Sequence, residues 1–211
     1  MGGMGLSFPP YTFVGLGEYA ILNGYKSLFL YAKLDGPLVT LEFATIEGVR
    51  FGFGYNSMVR RPEIDEITDF PFINDHAVSG AGNDPMAILD KIMNPDSGRA
   101  WVTPKQDAYW FAAGMTITAF ELLAVTAVAM LAFRDSGVVV TLYADAIAQM
   151  PPGKNAVALV YVEIGMVMEM NFIDGYFMVE ASLAPTSFLY LPSCHLYGQF
   201  AMSYWFPVCG P

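Results

Sequence analysis

Between Ala158 and Phe172 every second residue is apolar: Ala158, Val160, Val162, Ile164, Met166, Met168, Met170 and Phe172. The intervening positions include Glu163, Gly165, Glu169 and Asn171. Strict alternation predicts a strand with one buried face, here the methionine row. At roughly 3.3 Å per residue an unbroken strand of this length reaches about 50 Å, so it needs equally long neighbours. The chain supplies them: 109–120, 122–133, 138–150, 176–190 and 196–206 all read as strands. Asp135-Ser136-Gly137, Pro151-Pro152-Gly153-Lys154-Asn155 and Asp174-Gly175 supply hairpin turns between them.

The N-terminal part is shorter-grained. Gly and Pro punctuate the first ten residues, and 11–22 reads as a strand with a bend at Gly15 and Gly17. Residues 27–34 alternate and end in the turn signal Asp35-Gly36-Pro37, after which 38–44 and 49–55 are joined through Glu47-Gly48. From 60 to 104 the character changes to acids, prolines and short helical patterns. Pro62 precedes Glu63, Asp65 and Glu66, and Asp84-Pro85 precedes the stripe Met86, Leu89, Ile92 and Met93, so each opens a short helix with a favourable first turn. The predicted fold is mainly β: a long-stranded antiparallel meander of one or more sheets, in a single domain over 1–211. A short helical insertion around residues 60–104 lies across an edge or end of the sheet.

The apolar stretch 112–133 contains Glu121 as its only charge and is long enough to cross a bilayer as a helix. Its threonines and β-branched residues favour two strands meeting near Glu121 instead, which makes a membrane-inserted protein the least favoured reading. Composition sharpens the picture. The chain is 55% hydrophobic and only 14% charged, against about 25% charged in an ordinary soluble domain. There is too little charge to cover the surface conventionally, so either apolar surface is left exposed or a partner, a membrane or further parts of a longer protein cover it. A net charge of −10 repels a phosphate backbone, which argues against nucleic acid. The opening residues lack a basic start and an apolar run, so no secretory signal is read and a cytoplasmic location is the default. Cys194 and Cys209 are too few for a disulfide framework and are read as ordinary thiols.

Candidate chemistry is sparse. Gly48 to Gly54 lacks the Lys-Ser or Lys-Thr ending and the following helix of a phosphate loop. Cys194 and His195 are adjacent, which points them to opposite faces of a strand and argues against their acting together. No cofactor or metal site is expected. Glu63, Asp65, Glu66, Asp69 and His76 form the one cluster of acids and histidine that a hydrolase or metal-dependent enzyme would use, provided they converge. Arg60-Arg61 is expected to pair with the acids just downstream.

Phe53-Gly54-Tyr55-Asn56-Ser57, Asp69-Phe70-Pro71-Phe72, Asp107-Ala108-Tyr109-Trp110 and Pro192-Ser193-Cys194-His195-Leu196 together carry a resemblance. The chain resembles the domain-of-unknown-function family 6603 of large proteins from filamentous fungi and some bacteria. The resemblance implies a β-rich module of a larger protein and brings no catalytic residues. The leading expectation is a non-enzymatic module whose long apolar sheet face serves assembly with further β modules, self-association or binding of a lipid-like apolar ligand. Tyr161, Met166, Met168, Met170 and Phe172 are the residues expected on that face.

Overall fold

A computed structural model describes residues 1–22, 24–73, 84–94, 98–134, 137–152 and 157–208. Among the described residues eleven strands form one antiparallel sheet: β1 (Gly2–Phe8), β2 (Tyr11–Leu22), β3 (Tyr25–Thr40), β4 (Ala44–Val59), β5 (Val102–Ala119), β6 (Leu123–Arg134), β7 (Gly137–Met150), β8 (Val160–Asn171), β9 (Tyr176–Leu183), β10 (Phe188–Leu189) and β11 (Gln199–Trp205). Spatial order follows chain order from β1 to β9, then β11, while β10 pairs with the start of β8. This is the predicted meander. The stretch 112–133 is two strands joined at Phe120 and Glu121, both at positive φ. Among the described residues no helix is long and apolar enough to cross a membrane.

The strands at the N-terminal side are longer than the Gly and Pro signals suggest. Asp35-Gly36-Pro37 does not turn the chain: β3 runs through it with a register shift against β4 between Asp35 and Val39. Glu47-Gly48 is a second such irregularity, between β4 and β5. A bulge needs the same permissive backbone as a turn, which is why the two signals look alike. The first residues, read only as punctuation, form β1. At the other end β9 stops at Leu183, and the chain resumes regular pairing at β11 only from Gln199. The turn residues Asp135, Ser136, Gly153, Lys154 and Asn155, together with His76 and Cys209, lie outside the described residues.

The described residues between 60 and 101 cover one face of the sheet rather than an edge or end. Their 3₁₀ helix, Ile64–Asp69, packs on β7, β8 and β9, while α1 (Pro85–Met93) packs on β1, β2 and β5. Between them Phe70 stacks near Tyr143, at 5.0 Å between ring centroids, and Phe72 meets Tyr31 and Trp110 edge-on at 5.1 and 5.7 Å. The insertion thus reaches from the first strands to the ninth. The buried core lies between it and the sheet, from Val14 and Leu16 on β2 through Trp110 and Val128 to Tyr143 and Val167. Trp110 fits against β4 because residues 52 and 54 are glycines. A Cβ on Gly54 would stand 1.9 Å from its indole nitrogen. That nitrogen donates to Ser57 Oγ at 3.2 Å.

Candidate functional site

Register across the sheet separates the two faces. One row runs Met4, Gly15, Ala32, Phe51, Ala113, Ala129, Leu142, Met168, Val179, Met202 from β1 to β11. The row on one side of it runs Leu6, Phe13, Leu34, Val49, Met115, Ala127, Ala144, Met166, Ala181, Phe200. The row on the other runs Gly2, Gly17, Leu30, Phe53, Phe111, Leu131, Val140, Met170, Phe177, Tyr204. No charged side chain occurs in any of the three. Of these residues only Ala144 is buried, and Leu30, Phe51, Phe111, Met115, Leu131, Phe200 and Met202 are each more than 40% exposed.

The opposite face carries most of the sheet's charges and is the covered one. Lys33, Arg50, Asp145, Glu163 and Glu169 all lie beneath the insertion or beside it and are buried. Alternation was therefore read correctly, but the expected burial is inverted. Glu163, Gly165, Val167, Glu169 and Asn171 face the core, while Met166 and Met168 lie half-buried, and Met170 36% exposed, on the open side. The inversion has a physical basis in pairing. Arg50 donates to the carbonyls of Phe72, at 3.2 Å, and Ile73. Arg61 meets Glu180 at 2.6 Å and Glu169 at 3.6 Å, and Tyr176 donates to Glu169 as well. Charged sheet residues with such partners hold the insertion down; methionines have nothing comparable to offer.

Of the residues expected on the apolar face, Met166, Met168 and Met170 share the open side and Tyr161 does not. Its hydroxyl donates to Glu163 Oε2 at 3.1 Å and its ring stacks on Phe188 at 6.2 Å. An odd position in an even row belongs to the other face. Phe172 sits in the turn after β8, tilted against Phe206 at 6.2 Å.

The acidic cluster is partly dispersed. Glu66 binds Arg60 at 2.5 Å, and Arg60 in turn lies 3.9 Å over the ring of Trp101. Burial alone would raise the Glu66 pKa, but Arg60 first, then the Glu63 backbone amide and Arg99, hold it below its ordinary value. Glu63 closes a capping box with Glu66 and faces Arg99 at 3.4 Å. Arg60 thus pairs as expected, whereas Arg61 reaches past the downstream acids to β8 and β9. Asp65 borders a cavity of about 430 Å³ with Thr68, Ser182, Tyr197 and Gln199. The Asp69 pKa is raised by burial and by the charges of Glu163 and Glu66. Among the described residues no three His, Cys, Asp or Glu side chains are grouped to hold a metal ion.

Two features escaped the sequence reading. Asp145 is buried on β7 with its Oδ1 atom unbonded, and only its place in the alternation Tyr143, Asp145, Ile147 signals it. On the open face, Gly15 and Gly17 leave a trough between Met4, Phe13, Leu30, Phe51 and Phe53, with a volume of about 760 Å³. Glycines flanked by large apolar residues at alternate positions are its sequence signature.

A model of a family of unknown function, DUF6603, matches residues 1–210, and the chain belongs to that family. No curated protein and no solved structure matches it.

Proposed function

We propose that the chain is a non-enzymatic assembly module that buries its open apolar face against the same face of a second copy. The observation that carries this reading is the three consecutive charge-free rows, each crossing ten strands. At about 4.8 Å between strands they span roughly 43 Å, and with about 20 Å along the strands they cover on the order of 850 Å². The largest apolar patch of an ordinary monomer is about 300–600 Å². A standard interface buries about 800 Å² on each partner. One face is thus large enough for a stable dimer. Because the acids lie on the covered side, stacking brings no like charges into contact.

The test is the mass in solution, by light scattering, of the parent and of Met168→Glu, each checked for β structure by circular dichroism. Met168 sits between Leu142 and Val179 in the central row, so a carboxylate there is desolvated on stacking. At matched concentration the parent is expected to reach at least twice the mass of the variant, which loses the face-to-face contact. A folded Met168→Glu protein associating like the parent would refute the proposal.

The trough at Gly15 and Gly17 favours a second reading, an acyl-chain site, since it is apolar, open and lined by residues from β1 to β4. Uptake of a fluorescent fatty acid by a parent protein that stays monomeric would establish that reading in place of the first. An enzyme using the acidic insertion has less support, because Glu63 and Glu66 are already engaged by Arg60 and Arg99.

A further inference from the structure

Among the described residues the sheet has two free edges, and both are unusual. β1 and β11 form the ends of the strand order, and every residue in either is exposed. Natural sheets blunt such edges with charges, prolines, bulges or covering elements, because unpaired backbone groups recruit another strand. Here neither strand contains a charged residue or a proline, and neither pairing has a register shift. The outward groups of β11 can be identified. Leu183 N donates to Gly198 O at 2.9 Å and Phe206 N to Gly175 O at 2.8 Å. Hydrogen-bonded pairs alternate along an antiparallel ladder. Phe200, Met202 and Tyr204 therefore turn their backbone groups to β9, and Gln199, Ala201, Ser203 and Trp205 turn theirs away from the sheet.

We propose that copies of this chain pair edge to edge, β11 of one onto β1 of the next, continuing one antiparallel sheet. Unpaired backbone donors and acceptors fit a strand and nothing else so well, which sets the class of partner. Direction fits too. The path from β1 to β11 crosses ten strands, each antiparallel to the last, so β11 runs opposite to β1. A copy placed beside the first in the same orientation then presents an antiparallel edge with its apolar face on the same side. The side chains are complementary: β1 has glycine at 2, 3 and 5, and β11 brings Phe200, Tyr204 and Trp205. Aromatic residues across from edge glycines are a favourable cross-strand pairing. The contact is heterologous, so it propagates rather than closing on a dimer.

The experiment uses the Met168→Glu background, in which face stacking is interrupted and edge pairing is left to act alone. Its mass by light scattering is expected to rise with concentration beyond a dimer. Ser203→Pro removes one outward donor from β11 and no bond to β9, and is expected to abolish that rise. If it fails to fold, Ala201→Lys/Ser203→Lys puts charge on the same edge instead. A protein blocked on β1 by Gly5→Lys/Ser7→Lys is likewise expected to be monomeric. Mixing the two blocked proteins leaves one intact edge of each kind and is expected to restore a dimer and nothing larger. A Met168→Glu protein that stays monomeric overturns the proposal, as does a Ser203→Pro protein that still polymerises or blocked proteins that dimerise alone.

Discussion

Replacing Asp145 with asparagine is expected to remove a stability loss of about 4 kcal/mol that the parent suffers as pH rises from about 4 to 8. Asp145 is 5% exposed, lies opposite Thr126 on β6 and Gly165 on β8, and leaves Oδ1 without a hydrogen bond. Burial first, and then the charge of Glu163, push its pKa from 3.8 up to about 7. Below about pH 4 the carboxyl is protonated in both folded and unfolded chains and contributes nothing to the pH dependence. Through the window from about 4 to 7 the unfolded chain ionises while the folded one keeps its proton, so stability falls with rising pH. Above about 7 both states are ionised and the loss is complete. The gap at about 1.4 kcal/mol per pH unit gives the 4 kcal/mol, a large part of the roughly 5–15 kcal/mol that holds a domain folded.

Urea unfolding at several pH values, parent against Asp145→Asn, reads this directly. The asparagine keeps the shape of the side chain and cannot ionise, so the variant is expected to become the more stable protein at pH 8 relative to pH 4. Asp69, whose pKa is also raised, contributes with the same sign in both proteins. Equal pH dependence in parent and variant would refute the assignment.

Gly54→Ala places a methyl group 1.9 Å from Trp110 Nε1; displacing the ring and its bond to Ser57 is expected to destabilise by about 3 kcal/mol, seen as a lower urea midpoint and a red-shifted tryptophan emission. Arg61→Gln takes away the partner of Glu180 and of the buried Glu169. Because Arg61 is itself over a third exposed, the expected loss is about 1–2 kcal/mol, below that for a fully buried pair, with faster amide exchange in the 3₁₀ helix as its local signature.

The sheet was legible from period-two alternation and turn chemistry wherever strands are long and turns are short, as at Asp174-Gly175 between β8 and β9. It was misread where one residue type serves two purposes. Gly36, at φ 134°, has a backbone that a turn or a bulge both accept, and only the long-range register of β3 against β4 decides between them. The break after Leu183 was hidden for a related reason. Pro185 is compatible with an edge position in a strand, and the pairing of Phe188 and Leu189 with β8 is a contact remote in sequence. The place of the insertion was illegible for want of any local signal, since its aromatic anchors Phe70 and Phe72 find their partners on β3, β5 and β7.

The inverted faces follow from what alternation does and does not encode. A period of two states that the sides of a strand differ; it does not state which side meets protein. Hydrophobicity assigns the apolar side to the interior only when the chain has enough other surface to cover it. Here the cover formed by the described residues between 60 and 101 offers Arg61 and the carbonyls of Phe72 and Ile73, and it is matched to a face bearing Arg50, Glu169 and Glu180. Lys33 and Asp35 add a pair of their own at 3.0 Å on that face. Moving the cover to the methionine side would press its own Arg61 against an apolar layer without a partner, at a cost of several kcal/mol for a charge buried there, and would uncover Val14, Trp110, Val128 and Tyr143 on the present covered side. The low charge content of the whole chain, 14%, therefore has an address. It belongs to the face that the chain's own cover does not fit, which is where an apolar second layer from outside the chain gains the most.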